Sequence, residues 1–329
     1  VTVPSANSDL TGMVVLGAGG LLAGALVREA ELRSLPAVGL TRAECDVTRV
    51  PSLREAIGRA HESLCPRGSG RLALINCAAY TAVDRAEVEA ERAWRVNALG
   101  AEQAARVAEQ RGLQTIYIST DFVFGGHGEA AGDPARQSPY DELDVPAAVG
   151  SYGRSKFAGE VLSRQAAPTC QVVRVAGLYG RGGRNFASSL AERLRLQARP
   201  RGDEVGEAAA PAPLRLDAQR VTSPTWAVAA ARRILDLAQD GRPGTYHAAC
   251  AGQATWLEVA VALAALLGIP APALVAATPA ELVAMGARAP RPAYCALRSR
   301  VPELRGLTPM PSWRQALSEY VALEYGPLP

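Results

Sequence analysis

Met13-Val14-Val15-Leu16-Gly17-Ala18-Gly19-Gly20-Leu21-Leu22-Ala23 decides the fold of this chain. Four apolar residues run into a glycine turn, and the turn runs directly into a helical apolar pattern over 21–33. A strand that ends in glycines and opens a helix is the first unit of a dinucleotide-binding fold. The backbone must turn sharply there and come close to a pyrophosphate, whose charge the amides at the helix N-terminus stabilise. A glycine turn after a strand is often only a turn, so the pattern around it has to carry the reading.

That pattern continues in both type and spacing. Strands are expected over 37–40, 72–76, 115–119 and 171–175, and helices over 52–63, 86–110 and 152–163, with Trp94 and Val107 on the apolar stripe of the long one. Such alternation means parallel strands joined by crossover helices on both faces. The fold class is therefore α/β, a doubly wound parallel sheet of Rossmann-like kind. Residues 125–150 break the rhythm with glycine, proline and charge, as a long loop over a site or an edge does.

Beyond Tyr179 the rhythm loosens. Helices are expected over 186–197, 225–239, 257–267 and 313–323, with an alanine- and proline-rich stretch over 199–213. The organisation read from this is a cofactor-binding domain over 13–180, with segments around 215–250 returning to it. Residues 181–329 then form a smaller, mixed α/β and mainly substrate-binding region. The run 259–277 carries no charge over 19 residues, a length that invites a membrane reading, but Gly268, Pro270 and Pro272 interrupt it. A helix ending near Leu267 and followed by an extended loop is expected instead.

Composition narrows the function. With 35 basic and 32 acidic residues the net charge is only +3, far from a nucleic-acid footprint. The six cysteines contain no C-x-x-C pair and the three histidines are scattered, so neither a metal site nor a disulfide framework is expected. Reduced, mostly buried thiols fit a cytoplasmic chain. Residues 1–12 lack a basic segment followed by an apolar one and read as a short leader rather than a signal peptide.

One count says more. Of the 35 basic residues only Lys156 is lysine. A chain that places arginine almost everywhere keeps one ammonium, a compact charge with a tunable pKa, where a rigid guanidinium does not substitute. Tyr152 lies four residues earlier, so both side chains project from one helix face about 5 to 6 Å apart at Cβ. An ammonium about 4 Å from a phenol, at an effective dielectric of about 20, favours the phenolate by about 4 kcal/mol, or about 3 pKa units. Even half of that brings a phenol into range for acid–base work. On most helix surfaces a Tyr and Lys pair is ornamental, and the lone lysine is what raises this one above that.

Three further residues join the pair. Thr120, within Ser119-Thr120-Asp121-Phe122, stands at the carboxyl edge that open parallel sheets use for ligands, where a hydroxyl can donate to a substrate carbonyl. Asn97 is a polar residue in a stretch otherwise built for packing, either internally hydrogen-bonded or ordering water or backbone near Lys156. The second strand ends in Leu40-Thr41-Arg42, with no carboxylate before Glu44. A cation there suits a ribose 2′-phosphate, which favours NADP(H) over NAD(H); the plain alternative is a solvated Arg42. Trp94, Trp226, Trp256 and Trp313 are assigned to packing.

These residues together resemble an extended short-chain dehydrogenase/reductase, and more narrowly the dTDP-4-dehydrorhamnose reductase family. The likeness is carried by the glycine turn, Asn76-Cys77-Ala78-Ala79-Tyr80-Thr81-Ala82-Val83-Asp84, Val96-Asn97-Ala98-Leu99-Gly100, Ile118 to Phe124, and Tyr152-Gly153-Arg154-Ser155-Lys156. It continues through Ser223-Pro224-Thr225, Gly244-Thr245-Tyr246-His247, Arg291-Pro292 and Trp313-Arg314-Gln315-Ala316-Leu317.

The resemblance implies reduction of the 4-keto group of a nucleotide-linked 6-deoxyhexose by NADPH. It makes Tyr152 the proton donor, Lys156 the group that lowers its pKa and holds the nicotinamide ribose, and Thr120 the group that orients the carbonyl. Gly17, Gly19, Gly20, Leu21, Leu22, Arg42, Asp46, Val47, Cys77, Ala78, Ala79, Asn97 and Ser119 would line the cofactor, with Asp46 and Val47 by the adenine. Thr81, Val83 and Phe122 would face the sugar, and Asn185 and Arg291 the diphosphate and sugar. The partner implied is a nucleotide sugar, with a homodimer as the assembly and neither nucleic acid nor membrane.

Departures from the family pattern bear on the substrate. The third glycine of the turn is Ala23, with Gly24 beside it, which alters the fit of helix to sheet. Gly177 stands where the family commonly has tryptophan, so a large aromatic wall near the sugar is expected to be missing. Loops around 127–137 and 202–211 look longer than usual. These differences open a 4-ketoreductase of another deoxysugar. A 4,6-dehydratase would carry an acid after Asp121, where this chain has Phe122. A nucleotide-sugar epimerase, usually with NAD and an acid after the second strand, and a nonenzymatic NADP-binding regulatory subunit are the remaining alternatives.

Overall fold

The computed structural model describes residues 9–65, 70–126, 136–183, 185–198, 212–270 and 272–326. The readings for residues 1–8, for 127–135 of the first long loop, for the loop 202–211 and for most of 199–213 lie outside these. Five strands come first along the chain: β1 Leu10–Leu16, β2 Ala37–Leu40, β3 Arg71–Asn76, β4 Gln114–Thr120 and β5 Gln171–Val175. A sixth strand, Gly244–His247, pairs parallel with the outer side of β5. The order across the sheet is Gly244–His247, β5, β4, β3, β1, β2, and every pairing is parallel. This is the doubly wound, Rossmann-like sheet.

Alternation along β1 shows why the sheet needs cover on both faces. Met13 and Val15 enter one apolar core with Leu22, Leu26, Ile75, Ile116 and Ile234, while Val14 and Leu16 enter another with Leu53, Ile57, Leu74 and Val107. The first face is covered by α1 Leu21–Leu32 and the later helix Ala227–Asp240. The second is covered by α2 Val50–Leu64 and Gly100–Gln110. Strands buried on both sides read as continuous apolar runs, and β4 is buried at all seven positions.

The long helix expected over 86–110 is broken. The chain instead makes α3 Val83–Ala86, α4 Ala90–Trp94, a π-helical turn Arg95–Leu99 and α5 Gly100–Gln110. The wide turn leaves the Asn97 carbonyl to accept from the Tyr117 hydroxyl at 2.8 Å. It is pressed against α6 Ser151–Ala166 at Gly159, where a side chain would run into the Asn97 carbonyl and the Tyr117 ring. Trp94, assigned to packing, lies at the end of α4 just before the break and is 44% exposed.

The later chain adds a separate core. The helices Phe186–Gln197, Trp256–Leu266 and Trp313–Tyr325 bury Leu190, Leu194, Trp226, Leu263, Trp313 and Leu317 together. The extended segment expected after Leu267 includes a short strand, Leu274–Ala277, which pairs parallel with Leu214–Asp217. The helix expected from Thr225 starts at Ala227, because Thr225–Trp226 pairs with Leu178–Tyr179. No described helix is long and apolar enough to cross a membrane.

Candidate active site

The strand order reverses between β1 and β3, and ligands of open α/β sheets sit at that point beyond the carboxyl ends of the strands. The glycine turn lies there. Gly17 has φ +78°, and a Cβ on it would stand 2.9 Å from the Ala78 backbone, so only glycine lets the two loops meet. Gly20 caps α1 without a side-chain bond, and a Cβ on Gly19 would meet nothing within 4 Å. The result is an open cradle with the first amides of α1 facing it. Leu22 and Ala23 are buried in the core beneath, so the alanine in place of the third glycine is accommodated by packing.

Neighbouring loops complete the rim. Arg42 is exposed just past β2, and its charge helps hold the Asp46 carboxyl below the usual range, behind the larger effect of the Thr48 hydroxyl. Val47 is buried against Gly100. Cys77, Ala78 and Ala79 are half-buried after β3, with the Ala78 amide held by Asn76 at 3.1 Å. Thr81 is exposed and Val83 half-buried at the start of α3.

Thr120 ends β4, opposite Val175 on β5. Its hydroxyl donates to Asp121 Oδ1 at 3.0 Å and accepts from the Phe122 amide at 3.3 Å. Helix α6 delivers Tyr152 beside it, with the Phe122 ring edge-on to Tyr152 at 5.8 Å. Gly153 allows this approach, because a side chain there would collide with the Phe122 carbonyl. The helix start is held by Glu87, whose carboxylate accepts the Ser151 amide at 2.7 Å and favours the N-terminal dipole.

The electrostatics differ from the expectation. Lys156 is 2% exposed; its ammonium donates to the Ile118 carbonyl at 2.6 Å and lies 4.1 Å over the Tyr117 ring. Burial pulls its pKa down to about 7 against the opposing pull of Glu160 and Cys77. The Tyr152 phenol is not lowered but pushed up to about 12, by burial first; the Thr120 hydroxyl works against this and Asp121 adds to it. The lone ammonium is spent on β4 in this arrangement, and dehydration dominates the phenol.

Four of the expected site residues make polar contacts within the protein. Ser119 donates to Glu160 at 2.6 Å, and Glu160 in turn holds Arg174 at 2.8 Å, because alternate β4 side chains point to opposite faces. Asn97 accepts the Tyr80 amide at 2.8 Å and donates to Ser155 at 2.9 Å, so it braces the loop after β3 against α6. Asn185 caps the helix Phe186–Gln197 by accepting the Ser188 amide at 3.2 Å, with its amide on the Gly180 carbonyl at 2.7 Å. Arg291 pairs with Asp84 at 2.6 Å.

At Gly177 the missing aromatic is supplied from elsewhere. Trp256 reaches from a later helix until its ring edge is 3.4 Å from where a Gly177 Cβ would be, and it packs on Phe186 with centroids 4.2 Å apart. Sequence reasoning assigned Trp256 to packing, as found, and missed Glu87, Glu160 and the burial of Asp121. Only Asp121 had a local signal, its place beside Thr120.

Comparison with known proteins places this geometry. The family described as RmlD substrate binding domain matches residues 11–325. The chain belongs to that family. A dTDP-4-dehydrorhamnose reductase of Mycolicibacterium smegmatis is 34% identical over 321 residues, covering 95% of this chain and 86% of that protein. A dTDP-4-keto-6-deoxy-D-glucose reductase of Streptomyces niveus is 33% identical, covering 93% of this chain and 95% of its own length. The crystal structure of a dTDP-4-dehydrorhamnose reductase from Bacillus anthracis in complex with NADP superposes with a TM-score of 0.80 at 27% identity, over 95% of this chain and 99% of that one.

Proposed function

We propose that this chain is a cytoplasmic, NADPH-dependent oxidoreductase. It reduces the 4-keto group of a nucleotide-linked 6-deoxyhexose, of dTDP type, as a dTDP-4-dehydrorhamnose reductase or a related deoxysugar 4-ketoreductase. The observation that carries this is the meeting of Tyr152 on α6 with Phe122, two residues past Thr120 at the end of β4, at the same sheet edge as an open glycine cradle. The relatives named above act on that substrate class. Residues Gly17, Gly19, Gly20, Leu21 and Leu22 would hold the pyrophosphate, Arg42 the 2′-phosphate, and Cys77, Ala78 and Ala79 the flank of the cofactor.

When bound, NADPH supplies the hydride. Tyr152 gives its proton to the ketone oxygen as negative charge develops there, and a phenol that stays protonated at neutrality is the right form for a donor in the reducing direction. Thr120 orients that oxygen. Phe122 fixes the phenol edge-on and keeps water from its flank. Much of the rate then comes from positioning and from stabilising the developing oxyanion. Thr81, Val83 and the Trp256 and Phe186 pair would bound the sugar, with the later core forming the substrate-binding part.

A related deoxysugar ketoreductase is favoured over a strict rhamnose enzyme by one feature. The aromatic at the Gly177 position comes from Trp256, a different backbone origin, which reshapes the wall it makes. The deciding measurement is NADPH oxidation with a panel of dTDP-4-keto-6-deoxyhexoses, followed by the C4 configuration of the product. Stoichiometric NADPH loss with at least one sugar is expected. An epimerase would interconvert sugars with no net NADPH consumption, and a regulatory subunit would bind NADPH without turnover.

Coenzyme choice has its own test. Arg42→Ala removes the only cation just past β2 and should weaken NADPH binding about tenfold or more while leaving NADH nearly unchanged, as loss of one charge-assisted phosphate contact does. An unchanged ratio of the two affinities would show Arg42 to be a solvated surface residue.

A further inference from the structure

Two guanidinium groups line a groove that the steps above do not use. It lies where β5 meets the outer strand Gly244–His247, on the far side of β4 from the glycine cradle, between α6 and the segment 142–146. Its volume is about 330 Å3. Ligand pockets span about 300–1,000 Å3, so this one suits a small molecule. Helix α6 borders it with Arg164, whose Nη2 donates to the Thr245 hydroxyl, and with Glu160, which Arg174 of β5 grips through Nε at 2.9 Å and Nη2 at 2.8 Å.

The hydrogen bonds of the lining do not balance. Every acid there is engaged: Glu160 by Arg174 and the Ser119 hydroxyl, Glu142 by the amides of His247, Arg300 and Val301, and Asp144 by Arg136. The cations keep donors in hand. Arg174 is 3% exposed, and its Nη1 is buried with no hydrogen-bond partner among the described residues. The guanidinium carbon lies 5.0 Å over the Phe124 ring, which leaves that N–H unmet. Arg164, half-buried, meets no carboxylate among the described residues. Buried donors are nearly always met, so an unmet one on a groove points to an acceptor that comes from outside.

The walls above these charges are apolar. Phe157 and Val161 of α6 line one side, and Leu143 and Val145 the other. Leu143 and Val145 are each 71% exposed and Val161 is 41% exposed, so a tail laid between them removes apolar surface from water. With Arg136 counted, three acids stand against three cations, and the groove has no surplus charge to hold a dianion. We propose that this groove is a second binding site, for a small monocarboxylate with a short apolar tail. Its carboxylate takes the unmet N–H groups of Arg164 and Arg174, and its tail lies between Val161 and the segment 142–146.

Octanoate is the probe, titrated calorimetrically into the full chain. One saturable site is expected, with 1-octanol and inorganic phosphate each at least about tenfold weaker, because one lacks the charge and the other the tail. Arg164→Gln should weaken octanoate about tenfold, as loss of a charge-assisted bond does. Val161→Glu, which sets a like charge beside the bound carboxylate, should also weaken it. Both positions reach the surface, so the variants should fold, and Arg106→Gln on the exposed face of α5 should leave binding unchanged. No saturable binding in the millimolar range, octanol or phosphate binding as tightly as octanoate, or an affinity unchanged in either groove variant overturns the proposal. Binding is read without sugar or cofactor, so it stands or falls apart from the reductase reading.

Discussion

Tyr152→Phe should lose at least about a hundredfold in kcat while NADPH affinity changes little. The ring is kept, so its edge-on contact with Phe122 and its place on α6 survive. What is lost is the single proton beside Thr120 at the carboxyl edge of β4. Single-turnover NADPH oxidation, with cofactor binding measured separately by fluorescence, separates the two effects. Near-normal turnover would mean that another group protonates the ketone oxygen, and the site as assembled around Tyr152 would be wrong.

Lys156→Arg should be inactive, with kcat down by about a hundredfold or more, although the charge is conserved. The ammonium fits between the Ile118 carbonyl and the Tyr117 face with almost no solvent contact. A guanidinium is longer, planar and permanently charged, and the neighbouring Gly159 shows how little room this face of α6 leaves. A second readout is stability against pH. Burial puts the folded pKa of Lys156 at about 7, below its ordinary 10.5, so between these values the unfolded chain holds a proton that the native chain has released. The lysine therefore makes wild type more stable as the pH rises through that window, and Lys156→Arg should lose the rise. A variant with native turnover would refute the case made from the lone lysine.

Much of the sheet was legible because β1, β3, β4 and β5 are apolar runs bounded by turns and joined by helices of ordinary length. The glycine turn was legible for the same reason, since its demand on the backbone is local. The break at Arg95–Leu99 was not, because it is enforced by Gly159 and Tyr117, distant in sequence and close only in the folded chain. Asn97, Ser119 and Asn185 looked like ligand-facing residues from their place in motifs. Asn97 and Ser119 meet Ser155 and Glu160, which no local window contains, whereas the Asn185 cap on the Ser188 amide lies within one helical turn. The direction of the Lys156 ammonium failed likewise: i and i+4 spacing fixes where a side chain starts, and the Ile118 carbonyl fixes where it ends.

The strand Gly244–His247 closes the sheet on β5, and the helix that leads to it covers α1. A ribosome that has released only the first 180 residues has therefore made a half with a bare strand edge and an uncovered apolar helix, both open to wrong partners. Folding of the cofactor half has to wait for synthesis to pass residue 247. Cutting the gene at the apparent boundary should yield inclusion bodies rather than an independent nucleotide-binding fragment.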